Sequence, residues 1–398
     1  MAKRLAIPSK ESQLKIVGPA NSFKASRIQR TTLNKDIPSR DVDELGNPLH
    51  AGQSKGIPNA TLTFSAMDVG IKVISALVGE DPDAFPAGGV DIAALGEADA
   101  IVYIKDAEVD DYVKSIHSRR LQVQNFSFSY SVDGDSTEDY TLIGSEQRIF
   151  KTNDVVVDRF TTGTTTFVLN DTPVQLNNGR KLLSVILDGE YLVEVDSAPA
   201  TGEYSVSGTT LTTGDARTAQ VLAVYQAAPA GNNWADVDDS TMPAAIQGKD
   251  VAVEILAIGI PRVQSVTING NLNPQAVNEL GNRGRAGYQT QVPTVEGTLT
   301  VLDTDTELID LLLNGSTDSG ATEFETGIGC VVSGVPLEIQ LLDPCDVVSP
   351  LNILKTIYIP EIEIVGDSYT LNVGNNAVQA FNFKSSDGQC RIYSGARS

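Results

Sequence analysis

Arg27-Ile28-Gln29-Arg30-Thr31-Thr32-Leu33-Asn34 returns later in the chain as Arg262-Val263-Gln264-Ser265-Val266-Thr267-Ile268-Asn269. The match runs without a gap from Arg27–Gly79 onto Arg262–Asn314, an offset of 235, and sixteen of its fifty-three positions are identical. Unrelated segments of average composition agree at roughly one position in fifteen, so about three or four matches are expected by chance. Among the identities, Glu44-Leu45-Gly46-Asn47 lies over Glu279-Leu280-Gly281-Asn282. From Lys114 the offset becomes 241, which sets Lys114-Ser115-Ile116-His117 over Lys355-Thr356-Ile357-Tyr358 and Tyr140 over Phe381. Two inserted residues later, Arg148-Ile149-Phe150 meets Arg391-Ile392-Tyr393. The repeat thus covers about 27–150 and 262–393, and the expected units are 1–150, an unduplicated insert at 151–248, and 249–398. Two like units in one chain let few chains build a ring of many similar parts.

Each copy has the same expected plan. A first strand leads into a polar loop at about 35–58 or 270–293, and connections of that length are usually functional or disordered. Ala60-Thr61-Leu62-Thr63-Phe64 and Gly297-Thr298-Leu299-Thr300-Val301 then read as strands. A short helix follows: Asp68 suits its N-cap, Val69, Val73, Ile74, Leu77 and Val78 form a core stripe, and Gly79 stops it. Asp303, Leu308, Ile309, Leu312, Leu313 and Gly315 repeat the pattern. Each copy closes in a long hairpin. Leu121, Val123, Phe126, Phe128 and Tyr130 alternate up to a turn at Asp133-Gly134-Asp135, and Ile362, Ile364, Tyr369 and Leu371 run to Gly374-Asn375-Asn376. The insert reads as a small β unit with strands near 164–169, 182–187, 204–206 and 221–225, followed by a linker over Ala227–Gly248 that holds Trp234, the single tryptophan.

The 398 residues carry a formal net charge of −22, with pI near 4.4. Such a surface favours solubility and repels nucleic acid, whose phosphates need clustered Lys and Arg. No apolar run approaches the roughly 20 residues of a membrane span, and the first residues lack a signal-type apolar stretch. A cytosolic, unprocessed product without membrane anchoring is expected. Cys330, Cys345 and Cys390 have no CxxC spacing, so reduced, mostly buried thiols are expected rather than zinc or disulfides.

Catalysis needs a nucleophile with a base, paired carboxylates or a metal cluster. The two histidines, His50 and His117, fall opposite Arg285 and Tyr358 in the repeat. No HExxH, GxSxG or phosphate-binding loop occurs. Asp133-Gly134-Asp135-Ser136-Thr137-Glu138-Asp139 offers oxygens for calcium but lacks the full loop spacing, and its counterpart Gly374–Ala380 has no acid, so a solvated turn is expected. No enzyme, cofactor or metal is expected.

The order of elements resembles the tail tube proteins of long-tailed bacteriophages, carried by Ser118-Arg119-Arg120-Leu121-Gln122-Val123-Gln124-Asn125-Phe126-Ser127-Phe128 and Ile357-Tyr358-Ile359-Pro360-Glu361-Ile362-Glu363-Ile364. It is most similar to a subtype with two fused domains, in which a trimer makes a pseudo-hexameric ring. The resemblance implies a mainly β fold: two tandem β-sandwich domains, each flanked by a short helix, with a small inserted immunoglobulin-like sandwich. It also implies a structural virion protein of the tail, made in the host bacterial cytoplasm. Its rings would stack around a lumen that conducts DNA without specific binding. Its partners would be itself, the tail tip or baseplate, the tape measure and the terminator. Glu44, Leu45, Gly46, Asn47, Glu279, Leu280, Gly281 and Asn282 would then lie on inter-subunit or inter-ring loops. Glu138, Asp139, Glu146, Glu361 and Glu363 would be acids of the lumen, over which DNA slides. In this chain the extra domain lies between the copies rather than at the C-terminus. The competing reading is a phage surface, receptor- or carbohydrate-binding β module, which the insert's β character permits.

Overall fold

The computed structural model describes residues 12–19, 21–25, 27–42, 52–68, 70–106, 111–150, 155–161, 164–215, 220–227, 246–280, 285–302, 306–314, 334–344, 352–371 and 376–397. The fold is mainly β. The first part holds β1 (Ser12–Val17), β2 (Ser22–Lys24), β3 (Ile28–Asp36), β4 (Ser39–Val42), β5 (Gly52–Lys55), β6 (Asn59–Met67), α1 (Lys72–Val78), β7 (Val90–Asp91), β8 (Glu97–Asp106), β9 (Asp111–Ser131), β10 (Thr137–Gly144) and β11 (Glu146–Phe150). Next come β12 (Val155–Phe160), β13 (Thr166–Val168), β14 (Ser184–Leu187), β15 (Glu190–Tyr191), β16 (Val193–Glu194), β17 (Glu203–Ser207), β18 (Thr210–Thr213) and β19 (Val221–Gln226). The last part holds β20 (Val251–Ile255), β21 (Ile258–Gly259), β22 (Val263–Asn271), β23 (Gln275–Val277), β24 (Gly287–Gln289), β25 (Thr294–Leu302), α2 (Glu307–Asn314), β26 (Val335–Leu342), β27 (Ile353–Thr370), β28 (Val378–Ser385) and β29 (Arg391–Ser394).

The two outer parts repeat each other down to strand register. Thr31 faces Phe64 and Phe64 faces Tyr140, just as Val266 faces Leu299 and Leu299 faces Phe381. Bulges recur at matching positions. β3 skips Gln29 where β22 skips Gln264, and β9 skips Gln124 where β27 skips Val365. A bulge adds one residue and bends its strand, so shared bulges give both copies the same bend. The correspondence also reaches beyond the sequence match. β1 pairs β8 as β20 pairs β26, with Ile16 facing Ala100 and Ile255 facing Leu337.

Core residues follow the expected alternation. Leu62, Phe64, Phe128 and Leu142 in the first part and Leu299, Phe381 and Phe383 in the last are buried in one apolar cluster, with Leu77 and Leu312 of the helices packed into it. Helix α1 ends where Gly79 takes φ +81, a left-handed position that suits glycine. Its start differs from expectation. Ile71 is the N-cap, with no side-chain cap bond, and Asp68 is buried in a charge cluster instead. Val69, Asp303 and Gly315 lie outside the described residues, as do Gly374 and Asn375 of the second hairpin tip, Trp234, and Cys330 and Cys345.

The expected polar loops are also corrected. They carry ribbons of their own, β4 paired with β5 and β23 with β24. The insert forms two four-stranded sheets, β12-β19-β14-β15 and β13-β18-β17-β16, with Phe167, Leu187, Val206 and Tyr225 buried among the residues between them.

Candidate assembly seams

Strand β9 of the first part is hydrogen-bonded along β22 of the last, with Ser131 facing Ser265 and Asn125 facing Asn271. The result is one antiparallel run of eight strands, β3-β6-β10-β9-β22-β25-β28-β27, four from each part in the same order. At this internal seam Ser127 Oγ donates to Asn269 Oδ1 at 2.7 Å. The Phe126 ring lies over Gly270, where an added Cβ would sit 2.0 Å from ring carbons. Arg391 and Ile392 of β29 pair with Asp91 and Val90, closing a second contact between the two parts. The β23–β24 ribbon joins them too, since Arg120 Nη1 donates to the Ala286 carbonyl at 2.9 Å.

A buried charge cluster lies across the seam. Lys355 of the last part extends its ammonium to Asp68 of the first at 2.5 Å and stands 3.9 Å from Glu138, and all three side chains are fully buried. Tyr130 OH donates to Asp68 at 2.9 Å and Tyr140 OH to Glu138 at 2.7 Å. Burial pushes the Glu138 carboxyl up to about 8, although Lys355 pulls it the other way. Burial acts to lower the Lys355 pKa, but Asp68 and Glu138 outweigh it and hold the ammonium above its ordinary value. Glu138 is therefore not a lumen acid: its even register with Tyr140 and Leu142 turns it into the core.

The ends of the eight-strand run are open among the described residues. β3 pairs only with β6, and the distal part of β27, from Gly366 to Thr370, pairs only with β28. One face of the run packs on the core, and the other is a polar surface. One row across it reads Arg30, Ser65, Asp139, Ser127, Asn269, Glu296, Lys384 and Glu363, with charges of both signs. The next reads Thr32, Thr63, Thr141, Asn125, Asn271 and Thr294, with none. In a chain of net charge −22, these rows are mixed in charge and hydroxyl-rich rather than acidic.

Asp139 and Glu363 stand on that face. Glu146 does not: it pairs with Arg119 at 3.6 Å on β11. Glu361, also off the row, accepts from Ser386 at 2.9 Å. Among the expected loop residues, Glu279 and Leu280 are exposed, whereas Glu44–Asn47, Gly281 and Asn282 lie outside the described residues. In the acidic turn Asp133 and Asp135 are exposed while Ser136 is buried.

Sequence reasoning missed Asp99. Its carboxylate accepts from Ser184 Oγ, from Tyr191 OH at 2.8 Å and from the Arg120 amide at 3.0 Å, and it bonds His117 Nε2 at 2.8 Å. Burial pushes the Asp99 carboxyl up, but His117 and these hydrogen bonds outweigh it and hold it below its ordinary range. In a catalytic relay an imidazole stands between acid and hydroxyl; here the acid stands between hydroxyl and imidazole. The arrangement fastens the insert, which supplies Ser184 and Tyr191, to β8 and β9. Val17, Ile101 and Phe150 pack there against Leu183, Ile186 and Leu222 of the insert. The register counterpart of Asp99 in β26 is Pro336, so the last part has no such carboxylate. His50 lies outside the described residues. Cys390 is buried, and burial pushes its thiol up.

No protein-family model matches the chain, and no curated protein matches it. Among solved structures it is similar to the tube-terminating cap of the anti-feeding prophage, at 12% identity over 38% of this chain and 95% of that one, with a TM-score of 0.28. A likeness at that score establishes neither a shared fold nor a shared function.

Proposed function

We propose that this chain is a structural, non-enzymatic subunit of a phage tail tube. Three copies would close edge to edge into a ring with six similar parts, and stacked rings would enclose the path of the DNA. The observation that supports this reading is the internal seam. The chain already joins two like four-strand units through β9 and β22, and the outer edges of the resulting run remain open among the described residues. Open, regular sheet edges invite pairing with another chain, and a repeated head-to-tail contact closes when its rotation closes. The polar face would line the lumen, where hydroxyls, amides and charges of mixed sign offer phosphates no cationic track to hold them. The insert, fastened to the first part through Asp99 and the packing around Val17 and Ile101, would decorate every second position of the ring. Electron microscopy of the purified protein over a concentration series, with and without a tail initiator complex, tests the proposal. Rings or tubes of three-fold symmetry are expected. A product that stays monomeric throughout and is absent from virions would refute it.

A further inference from the structure

The internal seam is a template for the contact between chains, because Asn125–Tyr130 of β9 and Val266–Asn271 of β22 have described counterparts at 366–371 and 31–36, along the open edges. Moving β9 onto β27 by 241 residues carries Asn125 to Gly366 and Ser127 to Ser368. Moving β22 onto β3 by 235 carries Asn271 to Asp36 and Asn269 to Asn34. We propose that β3 of one chain pairs antiparallel with Gly366–Thr370 of a second copy in this same register, so that Asn34 faces Ser368, Lys35 faces Asp367, Leu33 faces Tyr369 and Thr32 faces Thr370. The identity of the partner rests on the ring reading; the register rests on the observed pairing.

Three features of the open edges support it. First, Asn34 and Ser368 are the residue types of Asn269 and Ser127, whose side chains hydrogen-bond at 2.7 Å across the internal seam. The transferred register alone brings Asn34 and Ser368 together. Second, Lys35 meets Asp367 where the internal seam sets Gly270 under Phe126. Opposite charges directly across an antiparallel pair attract, and like charges repel. An aromatic-on-glycine contact within the chain is thus replaced by a charge pair between chains. Third, apolar side chains exposed at or beside the open edges have buried counterparts where the two parts meet, along β9 and in the β29–β7 contact. Tyr369 is 49% exposed and Leu371 71%, against 0% for Phe128 and 2% for Tyr130. Ile149 of β11 is 67% exposed where its counterpart Ile392 is 0%. β11 lies beside the β3 edge, since Lys35 Nζ donates to the Gln147 carbonyl at 3.3 Å. A copy docked on β3 would cover this corner.

Residues directly opposite in an antiparallel pair bring their Cβ atoms to about 4.5–5.5 Å, which paired cysteines can bridge with a small adjustment. The test is cross-linking of the full chain under mild oxidation, read on non-reducing gels beside electron microscopy of the same sample. Asn34→Cys with Ser368→Cys should give covalent dimers and larger species. Asn34→Cys with Asp367→Cys, one residue out of register and on opposite sheet faces, should not. Wild type supplies the background of the native cysteines. Ser127→Cys with Asn269→Cys, which should close within one chain, checks that oxidation works. Lys35→Asp and Asp367→Lys should each lower the assembled fraction, and the double reversal should restore it. Rings without cross-linking in the matched pair, or cross-linking only in the shifted pair, would overturn the register and leave the ring reading intact. Absence of both cross-links and rings would overturn the two together. Failure of the double reversal to restore assembly would remove the Lys35–Asp367 pairing.

Discussion

Replacing Glu138 with Gln should stabilise the protein at neutral pH and leave it unchanged in mild acid. Glu138 is fully buried, and its carboxyl is raised from 4.5 to about 8, first by burial and then by Asp68, against the pull of Lys355. A raised folded pKa means that the folded chain holds the proton more tightly than the unfolded one. The stability this contributes is complete below about 4.5 and is lost as pH rises toward about 8. At about 1.36 kcal/mol per unit, the cost relative to the protonated form is about 3 kcal/mol at pH 7 and about 5 kcal/mol above pH 8. Gln keeps the shape, accepts from the Tyr140 hydroxyl and does not ionise. It also stands at the counterpart position in the last part, where Gln379 is 6% exposed. Urea unfolding of wild type and variant at matched pH values from 5 to 8.5 measures the difference, in which the titration of acids remote from Glu138 cancels. The variant should gain steadily across this window. A difference that stays flat, or falls with pH, would refute the claim that Glu138 is buried beside Asp68 with too little compensation to ionise freely.

Leu77→Ala and Leu312→Ala should each cost about 2–5 kcal/mol as truncations in the core, read as a lower denaturation midpoint; an unchanged midpoint would show that the helix does not pack there. Lys355→Met should cost about 3–5 kcal/mol by leaving Asp68 buried without its cation, and adding Asp68→Asn should recover much of it. A loss in Lys355→Met that Asp68→Asn does not relieve would mean that the ammonium acts by packing alone.

The fold was legible in the chain wherever a strand buries one face. Ala60–Phe64, Phe126–Tyr130 and Phe381–Phe383 alternate because the polar face of the eight-strand run is uncovered, and that alternation also carries the repeat. β8 was not legible. Ala100, Ile101 and Val102 are all buried, because the core takes one face of the strand and the docked insert takes the other, so no alternation remains to be read. Asp99 was hidden for the same reason: its partners Ser184 and Tyr191 lie 85 and 92 residues away. Asp68 looked like a helix cap because local spacing cannot show a lysine 287 residues distant. Likewise the acids around 133–139 looked alike in sequence, while strand pleat sends Glu138 inward and Asp139 out.

The sequence by itself determined that two like β units exist, where their helices and closing hairpins fall, and which side chains make their cores, because periodicity and repetition are local properties of the chain. Only the tertiary structure decided that the two units share one sheet through β9 and β22. It also decided that Lys355 locks them from within and that, among the described residues, β3 and distal β27 are left as edges. Pairing between strands more than a hundred residues apart leaves no mark in either strand alone; the register appears only when both are in place.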